Sequence, residues 1–455
     1  MRLEELTLQD FLAPLPCACG RTHQTALEVV ELARGALARL PDVVTRLGAR
    51  KVFLLADVHT ARAAGEKALT LLREAGVEAV AFTFPDEDLV PDERALGAAL
   101  MAYDRTCDLI VGVGSGTLND ISRFLSLQVG KPYLIVATAP SMDGYASTVA
   151  PLITASLKTT YEAHVPRAIV ADLDVMADAP QEMVAAGFGD ILGKVTCLCD
   201  WELAALITGE YYCPQVAAIM RLALRRVMAC APGLARREPD AMRALMEALV
   251  LAGIAMSYVG NSRPASGCEH HLSHFWEMRF LFEGRRPVLH GTKVGIGTVA
   301  ALRLHAFLRE ERIDFDAAMA EAVPSAAQWE AGIRAAYRQA ADGVIALERS
   351  SGKNARAARD QRLAAMRAAW PQISALLAEL PAPEEMAALL RAVGGSAAPH
   401  EVGLDAETVR QSVLYAKELR NRYSLLQMLW DLGLLERYAA RLAHACTHCA
   451  ADEPG

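Results

Sequence analysis

Residues 108–120, DLIVGVGSGTLND, combine a short apolar run, a glycine-rich turn and a polar stretch that suits the start of a helix. The apolar run does not alternate with polar residues, which is typical of a strand in a parallel sheet covered on both faces. Gly112, Gly114 and Gly116 would let the backbone approach a ligand closely, and the helix start would present unpaired N–H groups to an anion. This pattern predicts a strand–turn–helix unit that binds phosphate or pyrophosphate. The spacing is G-x-G-x-G rather than G-x-G-x-x-G, so a plain tight turn is the alternative interpretation.

Further apolar runs on both sides of this unit predict a parallel α/β sheet. They alternate with helical stretches at 61–75 and 94–106, a spacing that favours strand–helix–strand repeats with right-handed crossovers. Ligands of such sheets bind at the carboxyl ends of the strands. The other predicted strands are 51–56, 78–84, 132–138 and 168–173.

The chain changes texture after about residue 180. Strand-like runs vanish, and helical periodicity rich in Ala, Leu, Arg, Glu and Met continues to about residue 445, interrupted by prolines that separate individual helices. We therefore expect an α/β N-terminal domain with a Rossmann-like parallel sheet at 1–178, an all-helical C-terminal domain at 179–445 and a tail at 446–455.

Composition and charge narrow the class of protein. The 455 residues include 46 Lys and Arg against 54 Asp and Glu, a formal net charge of −8, and 53% of the residues are hydrophobic. Such a chain is neither disordered nor fibrous, and its acidic balance argues against binding to nucleic acid. The acidic first ten residues do not suit a secretory signal, and the longest apolar stretch, 248–259, is too short to span a bilayer. We expect a cytoplasmic protein that does not insert into a membrane.

Ten cysteines occur, most of them alone in apolar surroundings, which favours reduced, buried thiols over a disulfide framework. Two clusters of cysteine and histidine stand apart from the rest. Their members are Cys17, Cys19 and His23 near the start, and His444, Cys446, His448 and Cys449 near the end. Each could hold zinc, but neither alone has the paired ligand spacing of a known zinc finger, so solvent-exposed chain ends are the alternative.

A second polar turn follows the predicted strand 132–138. Residues 139–147, APSMDGYAS, bring hydroxyls, the Asp143 carboxylate and a glycine just past the strand end. If the strands are parallel, both polar turns lie at the same edge of the sheet, and two facing polar loops suit a dinucleotide. Asp57, at the end of the first predicted strand, could accept hydrogen bonds from a ribose hydroxyl or could be a helix N-cap.

Histidines are concentrated in one part of the helical half. Three of the eleven fall within residues 267–274, GCEHHLSH, and a fourth, His290, begins the segment HGTKVGIG. On a helix, His270 and His274 are four residues apart and share one face, whereas His271 points elsewhere. This density favours a functional site over isolated core histidines.

A carboxylate ligand is available in residues 187–194, GFGDILGK. We expect Asp190 in the first turn of a helix, where a plain N-cap is the alternative to a ligand. Two histidines and one aspartate with an open position are typical of a catalytic divalent metal such as zinc or iron(II). Structural zinc would more often use cysteines.

Five motifs, in this order along the chain, resemble one family. They are GVGSGTLNDISRF, TAPSMDGYAS, GFGDILGK, SRPASGCEHHLSH and LHGTKVGIGT, and they resemble the glycerol-1-phosphate dehydrogenases. These enzymes belong to the superfamily of iron-containing alcohol dehydrogenases and dehydroquinate synthases. The similarity covers roughly residues 15–440 and is strongest to the bacterial AraM-like branch, which also carries a CxCG…H segment. It implies a dehydroquinate synthase-like fold, with a nucleotide-binding α/β domain followed by a helical domain.

The resemblance also implies roles for individual residues. Asp190, His270 and His290 would be the metal ligands. His274 and Asp143 would act on the substrate. The candidate NAD(P)-binding residues, taken from the two turns, the strand end and the resemblance together, are Asp57, Gly114, Ser115, Gly116, Thr117, Asn119, Asp120, Thr138, Ala139, Pro140, Ser141 and Ser147.

The implied reaction is reversible hydride transfer between NAD(P)H and the C2 carbonyl of dihydroxyacetone phosphate, which gives sn-glycerol 1-phosphate. A divalent metal (zinc, nickel or iron) would act as the Lewis acid, and the choice between NAD and NADP stays open. The alternatives are a polyol or glycerol dehydrogenase, a dehydroquinate-synthase-like lyase, and an inactive protein that binds nucleotide or metal. The resemblance further implies a small phosphorylated triose as substrate and a homodimer or larger homo-oligomer. Candidates for the substrate phosphate are Lys293, Arg263, Arg420 and Arg422.

Overall fold

The computed structural model describes residues 7–154, 157–286 and 288–448. Within them, six strands form one parallel sheet and four other strands form two antiparallel pairs. In chain order the strands are Leu15–Pro16 (β1), Thr22–His23 (β2), Val29–Ala33 (β3), Lys51–Asp57 (β4), Glu78–Phe84 (β5), Leu109–Gly114 (β6), Tyr133–Ala137 (β7), Val149–Thr154 (β8), Leu157–Glu162 (β9) and Ala168–Asp172 (β10).

The large sheet has the order β3-β10-β7-β6-β4-β5, and every neighbouring pair in it is parallel. Val52 and Leu54 of β4 pack into one apolar core, whereas Phe53 and Leu55 pack into a second core. Because successive side chains of a strand point to opposite faces, the sheet is covered on both sides. The prediction of a doubly covered parallel sheet is confirmed.

The chain reverses its direction across the sheet between β4 and β6. From β4 it continues to β5 on one side, and it then returns to β6 on the other side of β4. Ligands of open parallel sheets bind outside the carboxyl ends of the strands at such a switch point. Gly114 at the end of β6 pairs in register with Ala137 at the end of β7. The two polar turns therefore leave the same edge of the sheet, as expected.

Three strand elements were not predicted from the sequence. The strand β3 lies at the edge of the sheet, and three of its five residues are only half-buried. The pair β1–β2 has two residues in each strand, and β8–β9 is a separate hairpin. Short strands and edge strands bury few side chains, so they leave little hydrophobic signal in the sequence.

Helices connect the strands of the first half. The predicted helix 61–75 is divided, because a π-helical turn at Ala61–Gly65 precedes its second part. The α-helices of this part are Leu40–Arg46 (α1), Val58–Thr60 (α2), Glu66–Glu74 (α3), Glu93–Ala102 (α4), Gly116–Val129 (α5) and Leu173–Ala177 (α6).

The described residues after 180 contain helices and no strand, as the sequence predicts. The helices are Gln181–Leu192 (α7), Lys194–Thr208 (α8), Pro214–Ala229 (α9), Ala231–Ala235 (α10), Pro239–Val259 (α11), Cys268–Phe282 (α12), His290–Arg309 (α13), Phe315–Ala320 (α14), Ala326–Tyr337 (α15), Ala341–Ser351 (α16), Arg356–Ala368 (α17), Trp370–Ala378 (α18), Pro383–Ala392 (α19), Ala406–Tyr415 (α20), Leu425–Asp431 (α21) and Leu435–His448 (α22).

Two compact units divide the chain. The first comprises Met1–Ile191, Pro214–Ala265 and Ala392–Gly394, and the second comprises Leu192–Cys213, Ser266–Arg391 and Gly395–Gly455. Both units are discontinuous in sequence, because the helices α9 to α11 belong to the unit that contains the sheet. All described strands precede the boundary at 178/179, and the described residues after it contain helices. As a domain boundary, 178/179 stays a prediction.

Helix α11 corrects one expectation from the sequence. At 21 residues, with a mean hydropathy of 1.5 over its most apolar window, it is long and apolar enough to cross a membrane. The apolar stretch 248–259 is only the second part of this helix, whose first part also contains the buried Met242 and Leu245. However, 72% of that window is buried inside the structure, which is typical of a core helix.

Candidate active site

The glycine-rich turn joins β6 to α5. A Cβ atom at Gly114 would lie 2.6 Å from Cβ of Leu118, so only glycine lets the helix turn back so closely onto the strand end. The first N–H with a helical partner is that of Asn119, which donates to the Ser115 carbonyl at 2.9 Å. The N–H groups of Gly116 and Thr117 precede this bond at the start of a 14-residue helix, the place where helices bind phosphate.

The second polar turn packs directly against the first. The hydroxyls of Ser115 and Ser141 are hydrogen-bonded, and Thr138 N–H donates to the Gly114 carbonyl at 3.2 Å. Tyr145 OH donates to the Ala139 carbonyl at 2.6 Å. The structure therefore brings together the two turns that the sequence proposes for nucleotide binding.

Arg123 organises these turns, and sequence reasoning missed it. Its side chain is fully buried and donates to the carbonyls of Val149 at 2.7 Å and Tyr145 at 3.1 Å. It also forms an ion pair with Asp120 at 3.0 Å. Its position seven residues after Gly116 is the only signal in the sequence, and an arginine on a helix is far more often solvent-exposed.

The structure gives several predicted nucleotide-binding residues a local role. Asp57 caps α2, because its carboxylate accepts the N–H groups of His59 at 2.9 Å and Thr60 at 2.8 Å. The N-cap interpretation of Asp57 is thus confirmed, and its contact with a ribose stays a prediction. Asn119 donates to the Gly144 carbonyl at 3.2 Å, which ties the helix to the second turn.

Three imidazoles converge in the second unit. The ring centroid of His270 lies 5.2 Å from that of His290 and 6.1 Å from that of His274, and the rings of His274 and His290 are 5.8 Å apart. His270 and His274 are on one face of α12, as their spacing predicts, and His290 is the first residue of α13. The structure thus brings the three predicted histidines together.

Glu269 holds His270 in place and was not assigned a role from the sequence. Its Oε1 lies 2.8 Å from Nδ1 of His270, while Thr196 donates to its Oε2 at 2.6 Å. Burial alone would raise the pKa of Glu269, but the hydrogen bonds and charge of His270 lower it overall. A carboxylate that accepts from Nδ1 leaves Nε2 of the ring for a metal, a common arrangement of metal-binding histidines.

Asp190 does not begin a helix, and this expectation is wrong. Helix α7 starts after Pro180 and continues through Gly187 to Leu192, so Asp190 lies in its last turn. Gly187 lies inside this helix and allows close packing, since a Cβ there would lie 1.8 Å from the Pro140 carbonyl oxygen. The fully buried carboxylate accepts the N–H of Asp143 at 3.0 Å.

The donor atoms of Asp190, His270 and His290 lie within 4.8 Å of one another. We call these three residues the histidine–aspartate cluster. One carboxylate oxygen and two imidazole nitrogens fit a divalent transition metal, and three protein ligands leave a position for a substrate. His274 is beside this set rather than in it.

Another cluster of potential metal-binding side chains, in the second unit, is unsuited to a cation. Asp200, Cys268 and His305 are fully buried and lie within 4.8 Å of one another. Both Asp200 oxygens already accept backbone N–H groups, from Cys268 and Leu425, each at 2.7 Å. Burial, followed by the charge of Glu269, raises the pKa of Asp200 to about 7. This carboxyl fixes the first turns of α12 and α21.

Lys293, a candidate for the substrate phosphate, is occupied by other groups. It is buried, lies 3.4 Å from the Glu277 carboxylate and donates to the Val288 carbonyl. Arg263 is buried and Arg420 is half-buried, and burial lowers the pKa of Arg420. Their contact with a phosphate stays a prediction.

Solved structures and family comparison place the fold in a known class. Residues 31–180 match the family described as iron-containing alcohol dehydrogenase. The crystal structure of glycerol dehydrogenase from Schizosaccharomyces pombe superposes with a TM-score of 0.61 at 15% identity, covering 94% of this chain and 93% of that chain. The fold is therefore that of the iron-containing alcohol dehydrogenases.

Sequence relatives define the family more narrowly. The glycerol-1-phosphate dehydrogenase (NAD(P)+) of Bacillus licheniformis is 34% identical over 424 residues, which are 92% of this chain and 93% of the relative. The protein of that name from Geobacillus stearothermophilus is 34% identical over 425 residues, 92% of this chain and 96% of the relative. This chain belongs to the glycerol-1-phosphate dehydrogenase family.

Proposed function

We propose that this protein is a metal-dependent, NAD(P)-linked sn-glycerol-1-phosphate dehydrogenase. The observation that carries the proposal is the convergence of the histidine–aspartate cluster in a chain that matches dehydrogenases of that name over more than nine-tenths of its length. The glycine-rich turn at the sheet edge supports the nucleotide requirement. The enzyme is an oxidoreductase, and its net reaction moves a hydride from NAD(P)H to C2 of dihydroxyacetone phosphate and a proton to the C2 oxygen.

Asp190, His270 and His290 would hold the divalent metal, which when bound would supply a Lewis acid for the C2 carbonyl oxygen. Glu269 fixes the orientation and the tautomer of His270 through their 2.8 Å contact. The Asp143 N–H orients the Asp190 carboxylate in the same way. These supports preorganise the ligands, so little reorganisation is needed during the reaction.

His274 is the proposed proton donor to the C2 oxygen. Its ring lies about as far from His290, at 5.8 Å, as from His270, at 6.1 Å, which places it beside both proposed histidine ligands. An imidazole is the side chain best suited to exchange a proton near neutral pH. The Asp143 side chain is proposed to bind a substrate hydroxyl.

The start of α5 is proposed to bind the pyrophosphate of the nucleotide. The N–H groups of Gly116 and Thr117 and the hydroxyls of Ser115 and Ser141 meet there, where the helix dipole favours an anion. Thr138 and Pro140 of the second turn would border the nucleotide. The protein's task is then to align the nicotinamide with C2.

Several finer properties are part of the same proposal. Two nitrogens and one oxygen suit zinc, nickel or iron, and the donor set does not select among them. We propose a cytoplasmic location and a homodimeric or larger assembly, in line with the family resemblance.

The test is an assay with the metal controlled. The purified chain is stripped with a chelator, reloaded with Zn²⁺, Ni²⁺ or Fe²⁺ and mixed with NADH or NADPH and one carbonyl substrate. We expect loss of reduced-nicotinamide absorbance with dihydroxyacetone phosphate, and a product that an sn-glycerol-3-phosphate dehydrogenase does not oxidise. Faster turnover of unphosphorylated dihydroxyacetone would instead identify a polyol dehydrogenase, and nucleotide binding without any oxidation would identify an inactive binding protein.

A further inference from the structure

The N-terminal hairpin carries a second group of metal ligands that the dehydrogenase reaction does not use. Cys17, Cys19, His23 and Cys213 have donor atoms that all lie within 4.8 Å of one another. We call them the cysteine cluster. We propose that it binds one structural Zn²⁺ ion through three thiolates and one imidazole.

The hairpin β1–β2 shapes three of the four ligands. Thr22 and His23 pair with Pro16 and Leu15, and the chain reverses between them through a turn closed by Gly20 N–H to the Cys17 carbonyl at 3.1 Å. Gly20 takes a φ of +84°, which side chains other than glycine rarely adopt. The tight reversal places Cys17, Cys19 and His23 on one side of the turn.

The distances suit tetrahedral zinc. Sγ of Cys19 lies 3.5 Å from Nε2 of His23. With Zn–S near 2.3 Å and Zn–N near 2.05 Å, a tetrahedral site requires a separation of about 3.6 Å between such ligands. The N–H of Cys19 also points at Sγ of Cys17 at 3.5 Å, and such a bond stabilises a thiolate.

The second nitrogen of His23 is held as metal-binding histidines require. Nδ1 lies 3.3 Å from the Tyr258 carbonyl oxygen, and the imidazole stacks on the Tyr258 ring at 5.2 Å with 18° between the planes. The carbonyl fixes the tautomer that keeps the proton on Nδ1, so the Nε2 lone pair is available to the metal. His23 is buried, although residues on both sides of it are exposed.

Cys213 is the fourth member of the cysteine cluster. It lies far from the other three in the sequence, so the sequence alone did not reveal the cluster. It is fully buried and directly precedes Pro214, the first residue of α9. Four ligands of the Cys₃His type close the coordination sphere and leave no position for a substrate, which is the mark of a structural site. The ion would fix the N-terminal hairpin to the start of α9. The C-terminal group is not comparable, since the side chains of Cys446 and His448 and all of Cys449 lie outside the described residues.

The experiment combines metal analysis with cobalt spectroscopy on the full-length protein. As purified, the chain should contain two divalent ions, and H290A should contain one. Reloading H290A with Co²⁺ should produce the sulfur-to-cobalt charge-transfer band of a thiolate site. The band should disappear in C19S and C213S, and it should persist in C230S, a matched cysteine outside the cluster.

A histidine series separates ligation from packing. His23→Ala should lose the ion, whereas His23→Cys should restore binding with a stronger charge-transfer band, because a fourth thiolate replaces the imidazole. A packing role of His23 against Tyr258 would not be rescued by cysteine. These readouts need no enzymatic activity, so they stand or fall independently of the dehydrogenase proposal.

Some outcomes would overturn the zinc site. They are the absence of a charge-transfer band in cobalt-loaded H290A, a metal content that C213S leaves unchanged, and a disulfide among Cys17, Cys19 and Cys213 found by mass spectrometry without reductant. If the serine variants fail to fold, the spectrum of cobalt-loaded H290A alone decides the question.

Discussion

The histidine–aspartate cluster and the cysteine cluster differ in the number and softness of their donor atoms. The first offers two nitrogens and one oxygen, whereas the second offers three sulfurs and one nitrogen. Three borderline or hard ligands leave a coordination position open, and four ligands rich in thiolate close the sphere. If both clusters bind metal as proposed, one chain has one metal site for chemistry and another for structure, and the type of ligand distinguishes them even with the same ion in both.

The largest effect is expected from substitutions that remove a ligand of the histidine–aspartate cluster and leave the cysteine cluster intact. Asp190→Ala or His290→Ala should lower kcat/KM by at least about 10³-fold, because the Lewis acid is lost, which corresponds to about 4 kcal/mol of transition-state stabilisation. Metal analysis should show one ion lost and the thiolate-bound ion kept. Wild-type activity in both variants would refute the active site.

His274→Ala should separate catalysis from metal binding within the same site. We expect the metal content to stay unchanged and kcat to fall by about 10²- to 10⁴-fold, since a positioned general acid contributes this much. The measurement is steady-state turnover at saturating substrate together with metal analysis of the same sample. If this variant lacks the metal, His274 is a ligand, and its assignment as proton donor must be abandoned.

Glu269→Gln should weaken the catalytic metal without removing it. Loss of the charged partner of His270 should lower the metal affinity by about 10- to 100-fold, measured by titration with a competing chelator. Thr196→Val is the matched control, since it removes the hydroxyl that binds the other Glu269 oxygen and leaves the contact with His270. Equal effects of the two variants would contradict a specific role of the Glu269–His270 contact.

The smallest effect is expected at the cluster of Asp200, Cys268 and His305, which we take to hold no metal. Asp200→Asn should leave the metal content unchanged and destabilise the fold by about 1–3 kcal/mol, because it places an amide donor opposite a backbone donor. A metal lost in this variant would show that the group is a third metal site.

The pH dependence of unfolding gives a second test of the structural role of Asp200. The native pKa of Asp200, about 7, lies above its ordinary value of 3.8, so the native state binds a proton that the unfolded chain releases in this range. Its contribution to stability is present below about pH 4 and is lost as the pH rises through 7. Denaturant unfolding between these values should therefore show a flatter pH profile in Asp200→Asn than in the wild-type protein.

Most of the sheet could be predicted, because central parallel strands bury both faces and read as continuous apolar runs. The edge strand β3 and the hairpin β1–β2 could not be, since few of their side chains are buried. The three histidines were accessible from their density along the chain. Glu269 and Arg123 were not, because a charged residue becomes informative only when its buried partners are known.

The prediction of both proposed metal sites was limited because their ligands are far apart in the sequence. Cys213 is 190 residues from His23 in the sequence and has no cysteine or histidine beside it, so no spacing rule could connect them. Asp190 was identified from its motif, but it lies in the last turn of α7 and not in the first turn of a helix. A glycine in mid-helix signals close packing as readily as a boundary.

The contact between Gly187 and Pro140 connects the turn proposed to bind the nucleotide with the helix that carries the proposed metal ligand Asp190. The carbonyl of Pro140 lies where a Cβ at residue 187 would be, and the N–H of Asp143 donates a hydrogen bond to the carboxylate of Asp190. On the proposal that this turn binds the coenzyme and that Asp190 binds the metal, a displacement of the turn by the coenzyme would reach a metal ligand. Occupancy by the coenzyme and affinity for the cation would then change each other by the same factor, so the order of addition would alter the kinetics of assembly but not the final populations.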